Sequence, residues 1–326
     1  ELLLQMKNGT VDLVIGTHAI IQDTIDFKKL GLAIIDEQHR FGVKQREIIK
    51  SFGSPHLLAL SATPIPRTLA MTIYGDQDLS IIDELPAGRK PIITRIIPET
   101  KRQDSYRWIE DQVQKGRQVY VICPLIEESE TINVKSVLEE FQRLDQQIFP
   151  QLRVVHLHGK MKNEEKDEIM TRFKSGEYDI LVSTSVIEVG IDVPNSSIIL
   201  IEGSERFGLS QLHQFRGRVG RGEHQSYCFL FTNSWGDETK QRLSAMVQHT
   251  SGFKLAEIDL TLRGPGEIYG LKQSGIPDLK MASLTDSEMI ALARTAAEKL
   301  LKKDPLPLQK RISKRIKKII GSSPPK

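Results

Sequence analysis

Four short stretches of this chain bring together residue types that handle phosphates, metal ions and water. The first is Asp36-Glu37-Gln38-His39, which follows the apolar run Leu-Ala-Ile-Ile. Two adjacent carboxylates at a strand end suit magnesium–nucleotide chemistry: Asp36 can hold Mg2+, directly or through water, and Glu37 can orient and deprotonate an attacking water. Gln38 and His39 are placed to report the state of a nucleotide to the rest of the molecule. Taken alone, an Asp-Glu pair is more often a solvated acidic turn. The second stretch, Ser61-Ala62-Thr63-Pro64, closes another apolar run about 25 residues later. Its hydroxyls can hydrogen-bond the acidic pair; by itself it is an ordinary strand-to-helix turn.

The third stretch, residues 183–194, reads STSVIEVGIDVP and again follows an apolar strand. Gly190 permits a tight turn, Asp192 can accept hydrogen bonds from a ribose, and hydroxyls such as that of Thr184 can bind nucleic-acid phosphates. Singly, these Ser and Thr residues are better read as a polar loop. The fourth, residues 214–222, reads QFRGRVGRG. Three arginines in six residues with interleaved glycines are hard to explain as packing, because guanidinium groups are permanently charged and bind phosphate through two parallel donors.

The elements that must carry these residues alternate. Residues 11–20 (VDLVIGTHAI), 32–39 and 56–63 read as strands that end in small or polar residues, and a helix is expected from Pro64 to about Tyr74. Residues 84–91, rich in Pro, Gly and charge, read as a linker. A second series follows, with strands near 92–97, 118–124, 153–158, 179–184, 197–202 and 226–232 and helices near 101–115, 131–147, 162–174 and 208–216. The fold class is α/β with a mostly parallel sheet. Beyond Ser234 the alternation stops: residues 237–249 and 253–259 read as helices, 263–275 as a glycine-rich loop, 286–302 as a helix capped by Asp286, and 308–320 as a basic amphipathic helix.

At 326 residues the chain accommodates two domains and an appendage. Its net charge of +3 is uneven: from Lys299 onward there are ten Lys or Arg against one Asp, so the remainder is mildly acidic. Cys123 and Cys228 lie within strand-like runs and read as reduced core residues, which points to the cytosol. No apolar run approaches the roughly 20 residues of a membrane span, and no signal-peptide pattern follows Glu1. His156 and His158 have no third ligand nearby in sequence and read as a structural turn, and Trp108 and Trp235 read as packing residues.

In this order and spacing, the stretches resemble the motifs of superfamily 2 helicases and translocases. Residues 15–21 (IGTHAII) match motif Ib, DEQH motif II, SAT motif III, residues 119–130 (VYVICPLIEESE) motif IV, residues 183–194 motif V and residues 214–222 motif VI. Within that group, residues 36–47 (DEQHRFGVKQRE), 61–76 (SATPIPRTLAMTIYGD) and 263–275 (RGPGEIYGLKQSG) resemble the RecG family of branched-DNA translocases. The resemblance implies a partial RecA-like domain over 1–85, a complete RecA-like helicase C-terminal domain over 86–236 and a translocation hairpin, loop and helical tail over 237–326. It implies ATP and Mg2+ as cofactors. Asp36, Glu37, Gln38, His39, Arg218 and Arg221 take catalytic positions, and Ser61, Thr63, Gly190, Asp192 and Gln214 take nucleotide-binding ones. Thr17, Thr184, Arg242, Arg263 and Gln273 take positions that contact DNA or couple hydrolysis to its movement.

The implied partner is branched duplex DNA, with forks and Holliday junctions as substrates, acted on by a monomer in the cytoplasm, with single-strand-binding protein as a further partner. A glycine-rich P-loop, G-x-x-x-x-G-K-[ST], does not occur in these residues. The expectation is therefore a piece of a motor, inactive as an ATPase on its own. Two alternatives stay open. One is a transcription-repair coupling translocase of the Mfd type, against which Pro265 stands, since that family typically has alanine there. The other is a non-catalytic DNA-binding remnant.

Overall fold

The computed structural model describes residues 1–22, 25–37, 48–49, 51–53, 55–62, 78–82, 84, 86, 88–124, 130–184, 192–263, 289, 292–293 and 295–299. Gln38, His39, Thr63, Gly190, Gln273, the helix expected after Pro64, the loop from 264 and the basic helix at 308–320 lie outside the described residues. The chain divides into two compact units, Glu1–Pro64 and Ile65–Lys326.

The first unit opens with α1 (Leu2–Asn8), which ends at Gly9 with φ 68°, a left-handed conformation that glycine adopts without a Cβ penalty. Two strands, β1 (Leu32–Ile35) and β2 (His56–Ala59), pair in parallel with Ile35 opposite Ala59. The strand expected over residues 11–20 does not form: these residues run irregularly into a short 3-10 turn at His18–Ile20. An apolar run of strand length alone is not enough, because a strand also needs a ladder partner. In the described sheet β1 and β2 pair only with each other, and Leu13 and Ile15 stay 74% and 87% exposed.

The second unit is built on a six-stranded, wholly parallel sheet. Its strands are β3 (Ile93–Ile97), β4 (Gln118–Ile122), β5 (Val154–Leu157), β6 (Ile180–Ser183), β7 (Ser196–Ile201) and β8 (Tyr227–Phe231). They lie in the order β3-β8-β7-β4-β6-β5. The four inner strands are almost entirely buried, which is why they read as continuous apolar runs rather than alternating ones.

Successive residues still face opposite layers. Val119 and Val121 join a core beneath α2 (Arg102–Gln114) and α3 (Glu130–Arg143), with Tyr106, Ile109 and Phe149. Tyr120 and Ile122 join the other core, beneath α4 (Asn163–Lys174) and α5 (Leu209–Arg216), with Phe173, Leu212 and Phe215. Two further helices, α6 (Asp237–Gln248) and α7 (Gly252–Arg263), complete that second layer, where Leu243, Met246 and Leu255 are fully buried. Helices α6 and α7 thus share a core with α5. This is an α/β, RecA-like architecture.

Both cysteines are buried free thiols. Trp108 packs edge-on to Tyr227 and Phe229, as expected of a packing residue. Trp235 does not: it lies on the loop between β8 and α6 and is 49% exposed. Among the described residues, no helix is long and apolar enough to cross a membrane, and no group of three or more His, Cys, Asp or Glu is arranged to hold a metal ion.

Candidate functional site

In the first unit, Asp36 and Glu37 follow β1 directly, and Ser61 follows β2 by two residues. The Leu60 amide donates to the Ile35 carbonyl at 2.7 Å, carrying the ladder one step past the paired strands. Counting on in that register sets Ser61 level with Glu37. The acidic pair and the hydroxyl therefore emerge at the carboxyl ends of adjacent parallel strands, where open α/β sheets build their sites. Asp36 is exposed, and its Oδ1 accepts the Glu37 amide at 2.9 Å. Glu37 has φ 52° and is the one non-glycine residue with positive φ among the described residues. A left-handed glutamate costs roughly 1–2 kcal/mol, and strain of this kind gathers where a side chain must be aimed. Thr17 caps the 3-10 turn, its Oγ1 accepting the Ala19 amide at 3.4 Å.

In the second unit, motifs V and VI meet. Asp192 and Arg221 form an ion pair at 3.4 Å, joining the segment before β7 to the loop after α5. Burial pushes the Tyr120 phenol above its ordinary range; Arg218 and Arg221 oppose that rise and Asp192 adds to it. All three charges therefore bear on one point beneath the sheet's second layer. Gly222 is required where the two loops touch, since a Cβ there would sit 2.3 Å from the Pro194 carbonyl oxygen. Gln214 is half-buried on α5, and Thr184 is buried at the end of β6, its carbonyl accepting the Ser183 hydroxyl at 3.0 Å.

The first arginine of the glycine–arginine run has a different place from the other two. Arg216 is 4% exposed. Its Nη1 donates to the carbonyls of Met246 at 2.8 Å and His249 at 2.9 Å, and its Nη2 to that of Thr250 at 3.0 Å. These are orphan carbonyls at the end of α6 and the turn beyond it, so a side chain of α5 caps another helix. Nη2 also meets His213 Nδ1 at 2.9 Å. Burial, and then the Arg216 charge, hold the His213 pKa down at about 4, which keeps that nitrogen a neutral acceptor.

Sequence reasoning missed this role, although a signal was present: Leu209, Leu212 and Arg216 fall at helical spacing on the buried face of α5. Arg242, on α6, donates to the Glu205 carbonyl and lies 3.7 Å from Glu238, tying the same helix to the turn after β7. Arg263 is the last residue of α7.

A second polar cluster was also missed. Glu202, at the end of β7, receives Arg102 at 2.9 Å, and Arg143 donates to the Tyr106 hydroxyl at 2.8 Å and to Glu140 at 2.6 Å. Burial, reinforced by Glu140, raises the Glu202 carboxyl to about 7 despite the two arginines.

Three family models match the chain: DEAD/DEAH box helicase over residues 1–72, helicase conserved C-terminal domain over 100–223, and ATP-dependent DNA helicase RecG, domain 3, C-terminal, over 249–320. The ATP-dependent DNA helicase RecG of Synechocystis sp. is 53% identical over 94% of this chain and 37% of its own length. That of Thermotoga maritima is 49% identical over 90% of this chain and 38% of its own length. A solved structure of RecG bound to a three-way DNA junction superposes with a TM-score of 0.69 at 44% identity, covering 89% of this chain and 37% of that one. The chain thus spans well under half the length of these relatives. Across the residues it does span, the acidic pair that follows β1, the Asp192–Arg221 junction and the Arg216 cap of α6 stand in a sequence 53% identical to one RecG DNA helicase and 49% identical to another.

Proposed function

We propose that these residues are the hydrolysis-sensing and force-transmitting part of an ATP-dependent translocase that remodels branched DNA, such as forks and Holliday junctions. The observation that carries the reading is the Arg216 cap, which fastens the helix bearing motif VI to the end of α6. Arg218 and Arg221 lie two and five residues beyond Arg216, so a change at them would reach α6 through that cap.

A magnesium nucleotide fits the residues present, since Asp36 offers an exposed hard oxygen ligand at a strand end, and Mg2+ is commonly held by one or two carboxylates plus phosphate oxygens and water. The bound ion supplies charge neutralisation on the phosphates. Asp36 would hold it, Glu37 would orient and deprotonate the attacking water and Ser61 would sense the pair; in the second unit, Arg218 and Arg221 are the residues that would stabilise charge developing on a phosphoryl group. Asp192 holds Arg221 in place and is available to a ribose hydroxyl. Gln38, His39, Thr63, Gly190 and Gln214 complete the nucleotide set, and Thr17, Thr184, Arg242, Arg263 and Gln273 the DNA-facing and coupling set. The junction-bound RecG relative supports branched DNA as the partner; a cytoplasmic monomer that meets single-strand-binding protein completes the reading.

These 326 residues contain no G-x-x-x-x-G-K-[ST] cradle, so the β- and γ-phosphates lack their main backbone donors. By themselves they turn over ATP no faster than the Glu37→Gln variant. Joined to a segment that supplies the cradle, they show branched-DNA-stimulated ATP hydrolysis that Glu37→Gln abolishes. Steady-state phosphate release with a synthetic fork tests both statements; turnover unaffected by Glu37→Gln in the longer protein would sink the reading.

A further inference from the structure

The two helical layers of the second unit meet at one turn. Residues 203–206 follow β7 and lead into α5, the helix of motif VI. Gly203 makes the bend with φ 54°, and a Cβ there would meet the Pro124 ring at 3.0 Å, so the turn is wedged against motif IV. The Arg206 amide closes it on the Gly203 carbonyl at 2.9 Å, and Phe207 packs edge-on to Phe215 of α5 with 5.2 Å between ring centroids.

Each layer holds this turn from its own side. Glu202 stands just before it and belongs to the α2–α3 side. Arg102 of α2 pairs with Glu202 at 2.9 Å and donates to Asn233 Oδ1, beyond β8, at 3.3 Å. Arg143, the last residue of α3, lies 3.5 Å from the same carboxylate. On the other side, the Glu205 carbonyl accepts Arg242 of α6. Arg242 Nε is buried without a partner among the described residues, and Glu238 stands 3.7 Å from the guanidinium. A shift of the turn would therefore take the carbonyl acceptor from a cation that is already short of partners, and leaving a charged donor unpaired is costly.

We propose that Glu202 is a positioning residue for α6: through Arg102 and Arg143 it fixes the 203–206 turn where the Glu205 carbonyl meets Arg242, so that α2, α3 and α6 keep one register. The inference rests on the coupling role given to Arg242 above and adds the residues that hold its acceptor. Buried ion pairs add little net stability, because desolvation offsets their attraction, and fixing geometry is the better use for them. Glu202 fits that pattern, since burial, reinforced by Glu140, lifts its carboxyl to about 7 even with two arginines at hand.

The first measurement is hydrogen–deuterium exchange of the 326-residue chain at about pH 8, above the value to which burial lifts Glu202. Glu202→Gln keeps the shape and is expected to speed exchange of the α6 amides about tenfold, the scale of one hydrogen bond to a charged group. The amides of α4 should exchange as before. Arg102→Met should act in the same way, and the double variant should go no further than either single one, because all three remove one contact. The second measurement is fork unwinding per ATP hydrolysed, in a RecG-family protein that contains these residues together with the phosphate cradle. Glu202→Gln should lower that ratio about tenfold while hydrolysis persists, whereas damage to folding lowers both activities together. The proposal is overturned by unchanged α6 exchange, by equal acceleration in α4, by additive effects in the double variant, or by an unchanged ratio. Selective loosening of α6 in a chain whose longer form shows no DNA-stimulated hydrolysis would keep the tether and remove the motor reading instead.

Discussion

The Arg216 guanidinium, on the helix of motif VI, donates to the Met246 carbonyl at 2.8 Å and so closes the end of a helix 30 residues further along the chain. The arginine lies within a run that reads as phosphate-binding, yet among the described residues its guanidinium hydrogen-bonds protein carbonyls and one imidazole. It links the helix that carries motif VI to the end of α6 and the turn beyond it.

Removing that cap should be costly for stability alone. Arg216→Ala leaves the carbonyls of Met246, His249 and Thr250 without their shared donor, and we expect a loss of about 2–4 kcal/mol. Arg216→Lys should recover only part of it, because an ammonium cannot span the fork. Urea unfolding of the three proteins side by side measures the difference; equal midpoints would exclude the cap as a structural contact.

The same contact predicts an acid-sensitive window. His213 is held down at about 4 in the folded chain, against about 6.5 when unfolded. A depressed histidine contributes stability that is fully present above the unfolded value and is lost as pH falls towards the folded one. Unfolding free energy should therefore decline between pH 6.5 and 4, by on the order of 2–3 kcal/mol from this group. His213→Gln should flatten that part of the curve, and an unchanged slope in the variant would place the proton elsewhere.

Glu202 predicts a second window with the opposite sign. Its carboxyl is raised to about 7 by burial and Glu140, so its contribution is fully present below the ordinary carboxylate range and fades as pH rises towards 7. Glu202→Gln, which keeps the shape and removes the titration, should make the chain's stability less dependent on pH between about 4.5 and 7. Denaturant midpoints across that range decide it, and a steeper dependence in the variant would contradict the assignment.

The contact between motifs V and VI can be probed at one atom. Gly222→Ala forces a methyl against the Pro194 carbonyl oxygen and should destabilise by about 2–4 kcal/mol. Gly236→Ala, with open space around its Cβ position, should change little. Thermal melts of both variants are enough to tell whether the two loops touch as described.

Much of this was legible in the residues. All six strands of the second sheet were legible as strand-length apolar runs, the four inner ones because they are buried on both faces, and Asp36 and Ser61 stood just beyond strand ends because parallel sheets place polar sites there. The strand expected at residues 11–20 was misread, since an apolar run of strand length does not tell whether a neighbouring strand exists. Trp235 was misread because aromaticity favours burial without compelling it. Arg216 was hidden among arginines of identical charge, and only its register with Leu209 and Leu212 sets it apart. Glu202 was hidden for a related reason: its partners Arg102 and Arg143 lie 100 and 59 residues away, and such a cluster has no local signature.

We propose that motif VI drives DNA movement through the Arg216 cap. Its most direct test is a paired measurement on a RecG-family protein that contains these residues together with the phosphate cradle. Fork unwinding and fork-stimulated ATP hydrolysis are compared for the parent and Arg216→Lys, with folding matched by circular dichroism. We predict that unwinding falls at least about tenfold, as when a transmission contact worth about 1.4 kcal/mol is lost, while ATP hydrolysis keeps most of its rate. Equal loss of both activities, or unwinding that persists in full, would contradict the account.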